Sequence, residues 1–288
     1  MTSRTVARLV PGTQTMEGDG MDVMRAFPAG TTSYFDPFLL LDRLGPVTFA
    51  PGAAKGVPAH PHRGFEAITY LLQGEIEHRD SFGGSGMLRA GDVQWMRAGS
   101  GLIHSEMPPE DFRRRGGTLQ AIQLWVNLPR ADKMLKPEYR DIGAAEIPEV
   151  ETSDHSTRVK VIAGEAAGKS AVLGTRVPIT YLHFTLKASR SVTQRVGAGD
   201  TVLAYTLEGR GVAGRDRRPI APNQLVVFSS DGDAVELAAG DQDLQVLILA
   251  GLPLGEPVSR YGPFVMNTPQ EINDAIEAFR SGLMGTLQ

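Results

Sequence analysis

YLLQGEI (residues 70–76) and YTLEGRG (residues 205–211) share one pattern. Each opens with an aromatic residue, places a polar residue fourth and a glycine fifth, and so reads as a strand running into a tight turn. Downstream of the first copy, RAGDVQWMRAGSG (89–101) is turn, apolar strand and second glycine turn, and IAPNQLVVFSSDG (220–232) is a weaker version of it. Further short apolar or alternating segments surround these: Phe65–Leu72, Leu119–Leu128, Val159–Ile162, Thr180–Leu186, Thr201–Leu207, Leu225–Phe228 and Leu244–Leu249. The 33 glycines and 19 prolines are spread between them instead of collecting in one linker. Many short strands joined by turns bury one face each and leave few open edges when the sheet closes or stacks on a second sheet. The duplication therefore predicts an all-β chain of two tandem barrels.

The 288 residues suffice for two units of roughly 140 residues each. The polar connector PEYRDIGAAEIPEVETSDHST (137–157), interrupted by two prolines, places the boundary between Lys136 and Val159, with domains expected at 1–140 and 141–288. One stretch reads as a helix. Thr268 is a cap, Pro269 stands in the first turn with Glu271 close behind, and Ile272, Ile276 and Phe279 recur at helical spacing. It is expected to belong to the second domain and to pack by one face.

Composition excludes several classes of chemistry. With no cysteine there is no disulfide, thiolate metal site or cysteine nucleophile. A formal net charge of −4 and the absence of a basic stripe argue against direct nucleic-acid binding. The basic run Arg113–Arg115, followed by two glycines, reads as a solvated loop. No apolar segment is long enough to span a bilayer, and the first 20 residues carry no secretory pattern. A soluble, cytoplasmic monomer without membrane contact is expected.

Three of the six histidines fall in two short clusters, VPAHPHRGFE (57–66) and GSGLIHSE (99–106). In extended backbone, residues i and i+2 point to the same side, so His60 can converge with His62, and His104 with Glu106. Three imidazoles and one carboxylate suit a mid-series divalent ion with open positions, Fe(II) above all, with Mn, Ni, Co or Zn as substitutes. Glu66 rivals Glu106 for the carboxylate, since its even separation from His62 would put both on one face of a regular strand. His78, His155 and His183 read as structural, and Trp125 as packing. Arg63 is expected to pair with Asp36, Asp42 or Glu66, and Trp95, Met96, Phe38 and Val57 are candidates for an apolar pocket wall. Gly64 and Gly101 are expected to make tight turns beside the ligands. Alignment of the two copies sets Arg195 and Gly197 against His60 and His62, and Val235 and Leu237 against His104 and Glu106. The second barrel is therefore expected to carry no metal.

HPHRGFEAITYLLQGEIEHRD (60–80), GDVQWMRAGSGLIHSEMP (91–108), QLWVNL (123–128) and YGPFVMNT (261–268) resemble the pirin family, a branch of the cupin superfamily. The resemblance extends from YFDPFLLLD at Tyr34 to the terminal helix. It implies two cupin barrels (double-stranded β-helix, jelly-roll) and a single iron, in the first barrel only. That ion would be held by His60, His62, His104 and Glu106, with Glu66 as a neighbouring group. It also implies quercetin 2,3-dioxygenase activity, in which a flavonol is opened by O2 with release of carbon monoxide and Glu106 serves as catalytic base for the flavonol hydroxyl. The alternative it implies is an iron-dependent regulator that binds a protein partner, transcriptional or metabolic, without turnover.

Overall fold

The structure is a computed structural model and describes residues 1–30 and 33–287. It is all-β, with two short α-helices among the described residues and two barrels built on one plan. In chain order the first strands are β1 (Val6–Pro11), β2 (Thr13–Glu17), β3 (Met21–Phe27), β4 (Phe38–Phe49), β5 (Val57–His62) and β6 (Phe65–Gln73). They continue with β7 (Glu75–Asp80), β8 (Ser85–Arg89), β9 (Val93–Arg97), β10 (Leu102–Met107), β11 (Gly117–Asn127) and β12 (Glu138–Ile142). Helix α1 is Glu110–Arg115 and helix α2 is Pro269–Arg280.

One compact unit comprises residues 14–28, 38–144 and 254–288. Its seven-stranded sheet has the order β12-β9-β6-β11-β4-β3-β2, and its four-stranded sheet the order β5-β10-β7-β8. The alternation in β6 explains how that unit is filled. Phe65, Ala67 and Leu71 join interior clusters with Met96, Trp125, Ile76 and Leu88, while Glu66, Ile68 and Tyr70 occupy the opposite face of the same strand.

The other unit comprises residues 1–13, 29–37 and 145–253. Its larger sheet runs from β1 through strands 224–228, 201–208, 244–251, 179–186 and 157–163 to 149–151. Its smaller sheet runs 191–195, 234–239, 211–213, 218–220. Its main core cluster is aliphatic and aromatic, with Leu182, Phe184, Leu186, Val235 and Leu237 among the buried contributors.

The expected boundary at 140/141 lies close to the junction at Ala144 and Ala145, but the units are not linear segments. The first residues of the chain supply edge strand β1, whose Val6–Pro11 pairs antiparallel with Gln224–Phe228. The terminal helix, expected with the second barrel, belongs to the first. Ile272 and Ala275 of α2 pack with Phe264 and Met266 of the short hairpin Ser259–Tyr261/Phe264–Met266. Local patterning gives the faces of an element but not which open edge or exposed flank it covers. The cap itself is as read: Thr268 Oγ1 accepts the Glu271 amide at 3.2 Å, and Glu271 returns an acceptor to the Thr268 amide at 2.9 Å.

The loop expected at Arg113–Arg115 is the end of α1, which anchors by buried Phe112. Arg115 lies over the Phe112 ring at 5.0 Å and pairs with Glu75 at 2.7 Å. Among the described residues no helix is long and apolar enough to cross a membrane.

His183 sits in strand 179–186, hydrogen-bonded to Gln245 at 3.2 Å. Burial, then the neighbouring Lys160 and Arg158 cations, push it down to about 4, against the pull of Gln245. Its neutral form therefore contributes stability that is complete above the unfolded value of 6.5 and is lost as pH falls toward 4, because only the unfolded chain binds the proton. The loss amounts to about 3 kcal/mol. Urea midpoints measured at pH 7, 5.5 and 4.5 are expected to fall more steeply in the native chain than in His183→Asn, and parallel curves would contradict this.

Candidate metal centre

Strands β5 and β10 lie antiparallel, with His60 opposite His104 and His62 opposite Leu102. His60 and His62 share one face of β5 by the period of two, as do His104 and Glu106 on β10, and the pairing brings the two faces together. One ligand nitrogen from each of His60, His62 and His104 lies within 4.8 Å of the others. The ring centroids are 4.4 to 4.9 Å apart. Glu106 is outside this tightest group. The register against β5 shifts between His104 and Glu106, which comes to lie opposite Val57. Its Oε1 accepts a hydrogen bond from Thr69 Oγ1 at 3.3 Å.

The corner that delivers the first two histidines is fixed by backbone. Gly64 has φ +89°, and a Cβ there would overlap the Val265 carbonyl oxygen. Gly101, with φ +117°, makes the equivalent turn before β10. Lys133 is buried behind the first corner, where Nζ donates to the Gly64 carbonyl (2.7 Å), Asn127 Oδ1 (2.7 Å) and the Val265 carbonyl (3.0 Å). Burial pulls Lys133 down to about 8, with Glu256 and Glu271 acting against that shift.

Burial holds the His62 imidazole well below the usual histidine range, with the His60 and Arg260 charges adding to the effect. The Pro263 carbonyl favours the charged form of His62, but not through a fully formed hydrogen bond. His104 is likewise held far down by burial, then by His60, His62 and His78. Both rings are therefore neutral at physiological pH, as metal ligation needs. His60 Nδ1 faces the Pro58 carbonyl at 2.8 Å, which can only accept, so Nδ1 is the donor and Nε2 is the atom turned to ligation. His104 Nε2 is buried without a hydrogen-bond partner. An orphaned buried nitrogen beside the His60 and His62 rings is costly as it stands and suits a cation. The residues present fit a divalent ion.

Glu66, the rival carboxylate of the sequence reading, lies elsewhere on its strand. It is fully buried on the face of β6 opposite to Phe65 and Ala67, which face the interior. Counting by twos from His62 fails because β5 ends at His62 and β6 begins at Phe65, and the turn through Gly64 resets the phase. Arg63 also departs from expectation. It turns toward α2, with Nη1 3.4 Å from the Asp274 carbonyl and Nη2 3.5 Å from Met134 Sδ. Asp42 instead takes both Arg25 Nε (2.8 Å) and Nη2 (2.6 Å).

The remaining histidines are engaged elsewhere. His78 meets Asp141 at 3.1 Å, His155 meets Glu151 at 2.9 Å, and His183 meets Gln245. In the second barrel the strand pair corresponding to β5 and β10 is 191–195 with 234–239, where Val235 lies opposite Gln194 and Leu237 opposite Val192. Gln194, not Arg195, thus stands where His60 does, one residue from the linear alignment. Val235 and Leu237 are fully buried and apolar, leaving no ligand atoms at the positions of His104 and Glu106.

His60, His62 and Glu106 open on a cavity of about 530 Å³. Of the pocket residues expected from sequence, Val57 lines it, while Phe38 and Met96 are buried core and Trp95 carries Arg97 over its ring at 5.7 Å. The wall includes residues that sequence reading missed: Arg25, Asp42, Gln123, Trp125 and Arg260. Trp125 is central. Its ring stacks on Phe65 at 4.1 Å, meets His62 edge-on at 5.1 Å and carries the Arg260 guanidinium at 4.9 Å. Gln123 and Trp125 alternate along β11, a signal present in QLWVNL but indistinguishable from packing without the neighbouring strands.

Comparison with known proteins agrees with this architecture. Residues 20–126 match the family Pirin, and residues 181–285 match the Pirin C-terminal cupin domain. The chain is 40% identical over 289 residues to Pirin-like protein 2 of Arabidopsis thaliana, covering 98% of this chain and 86% of the other. It is 42% identical to a Pseudomonas aeruginosa protein provisionally named a quercetin 2,3-dioxygenase, covering 92% of each. The crystal structure of a quercetin 2,3-dioxygenase from Acinetobacter baumannii, 37% identical, superimposes with a TM-score of 0.93 over the full length of both chains. With two barrels of one plan, three imidazoles gathered in the first, and relatives matched from end to end, this chain is a member of the pirin family, a bicupin.

Proposed function

We propose that this protein is an iron-dependent dioxygenase that opens a flavonol such as quercetin with O2, the ion being Fe(II) held by His60, His62, His104 and Glu106. The observation that carries the reading is the cavity itself: two of the three clustered imidazoles face a volume of about 530 Å³ with an indole in its wall. That volume is in the range of small-molecule sites. The names of the similar Pseudomonas and Acinetobacter proteins support the same chemistry.

Iron, when bound, would supply electron exchange between an oxygen-chelating organic ligand and O2. The chain's own residues would do the rest. Trp125 and Val57 offer apolar surface to flat rings. Glu106, steadied by the Thr69 hydroxyl, is the group placed to accept the flavonol hydroxyl proton. Its position outside the tight imidazole group suits the base role, and the ligand role is proposed from its place two residues after His104 on β10.

The second reading, an iron-dependent regulator that binds a protein partner without turnover, calls on no feature of the cavity. Stoichiometric complex formation that changes between Fe(II) and Fe(III), with no loss of flavonol, would favour it.

Protein purified without oxygen is expected to carry about one iron per chain, and His104→Ala to lose most of it, because one of four protein ligands is removed. Elemental analysis checks this, and full retention of metal by the variant would refute the ligand set. Added to quercetin in air, the loaded protein is expected to bleach the flavonol band with matching O2 uptake and carbon monoxide release. Glu106→Gln is expected to slow that reaction by roughly 10²-fold or more. Unchanged turnover in a variant of verified metal content would remove Glu106 from the base role.

A further inference from the structure

Arg260 is the cation on the cavity wall that lacks an acid partner. Arg25, the other arginine there, is neutralised twice, by Asp42 through two bonds and by Glu17 at 2.6 Å. Arg260 has no carboxylate within ion-pair reach among the described residues. Its guanidinium is positioned by uncharged groups: Nε donates to the Gly262 carbonyl and Nη1 to the Leu39 carbonyl, both at 3.3 Å, and the plane lies over Trp125. Nη2 has no acceptor among the described residues.

The charge is held at a cost. Burial and then the Arg25 cation disfavour it, and Asp42 and Glu17 only partly offset them. A desolvated, fixed guanidinium with a spare donor edge is a strong receptor for a planar oxyanion. Trp125 links it to the histidines. With 4.9 Å from Arg260 to the indole and 5.1 Å from the indole to the His62 ring, guanidinium and imidazole lie no more than about 10 Å apart. An aromatic molecule of one or two rings spans that distance.

We infer that Arg260 makes this cavity selective for aromatic anions: the ligand reaches the histidine end with a chelating oxygen pair, lies along Trp125, and presents a carboxylate or ionised phenolic oxygen to Arg260. The inference rests on the reading of the cavity as the organic ligand's site, and it names the class of that ligand. It places Arg260 in specificity, away from the bond-breaking end.

The test uses caffeate, which has a catechol at one end and a carboxylate at the other, against its neutral amide. Binding of each to the metal-loaded protein is measured by calorimetry without oxygen. The native chain is expected to bind the acid at least tenfold more tightly than the amide, the scale of one charge-assisted hydrogen bond. Arg260→Gln is expected to erase that preference while retaining its iron content, and Arg260→Lys to restore part of it. Equal binding of acid and amide by the native chain, or a preference that survives in Arg260→Gln, would overturn the inference.

Quercetin bleaching by the same native sample separates this outcome from the dioxygenase reading. Acid preference without bleaching leaves the Arg260 assignment standing and defeats the enzyme assignment. Bleaching without acid preference does the reverse.

Discussion

The antiparallel register of β5 and β10 is the constraint on which the site depends. With His60 opposite His104 and His62 one pair away, three rings are forced to within 5 Å of each other on a buried face. A slip of one residue would turn either strand's ligands to the other side of the sheet, because side chains alternate. Burial then does the electrostatic work. It keeps His62 and His104 uncharged, so that crowding three imidazoles does not become a cluster of like charges.

What holds that register lies outside the two strands. The Gly64 corner admits no side chain, and Lys133 ties its carbonyl to Asn127 at the end of β11 and to Val265 in the late hairpin. The same hairpin packs against α2. The closing segment of the chain thus helps to position a histidine cluster that lies wholly before residue 105, and it also brings Arg260 to the cavity wall. An arrangement in which the last 35 residues close the barrel of the metal site gives them a functional as well as a structural part.

The two barrels show how one plan supports different interiors. Where the first barrel has His60 against His104, the second has Gln194 against Val235, and the apolar packing continues through the space. Aliphatic side chains at the positions of His104 and Glu106 leave a continuous apolar core there.

The sequence by itself determined a good deal. Alternation and turn residues located β6, β11 and the later strands to within a residue or two, the repeat at Tyr70 and Tyr205 exposed the duplication, and two i, i+2 pairs marked the histidines. These are local properties, set by the period of extended backbone. Three things were decided only by tertiary structure. Glu66 falls on the far face of β6 because a turn, invisible to counting, changes the phase after His62. Trp125 becomes cavity wall instead of plain packing, and Gln123 and Asp42 join it, because of which strands flank them. The terminal strand and helix each join the barrel that linear order would not assign. Sequence fixes the faces an element presents through its own periodicity, whereas the partner that covers each face comes from residues distant along the chain, and only folding brings those together.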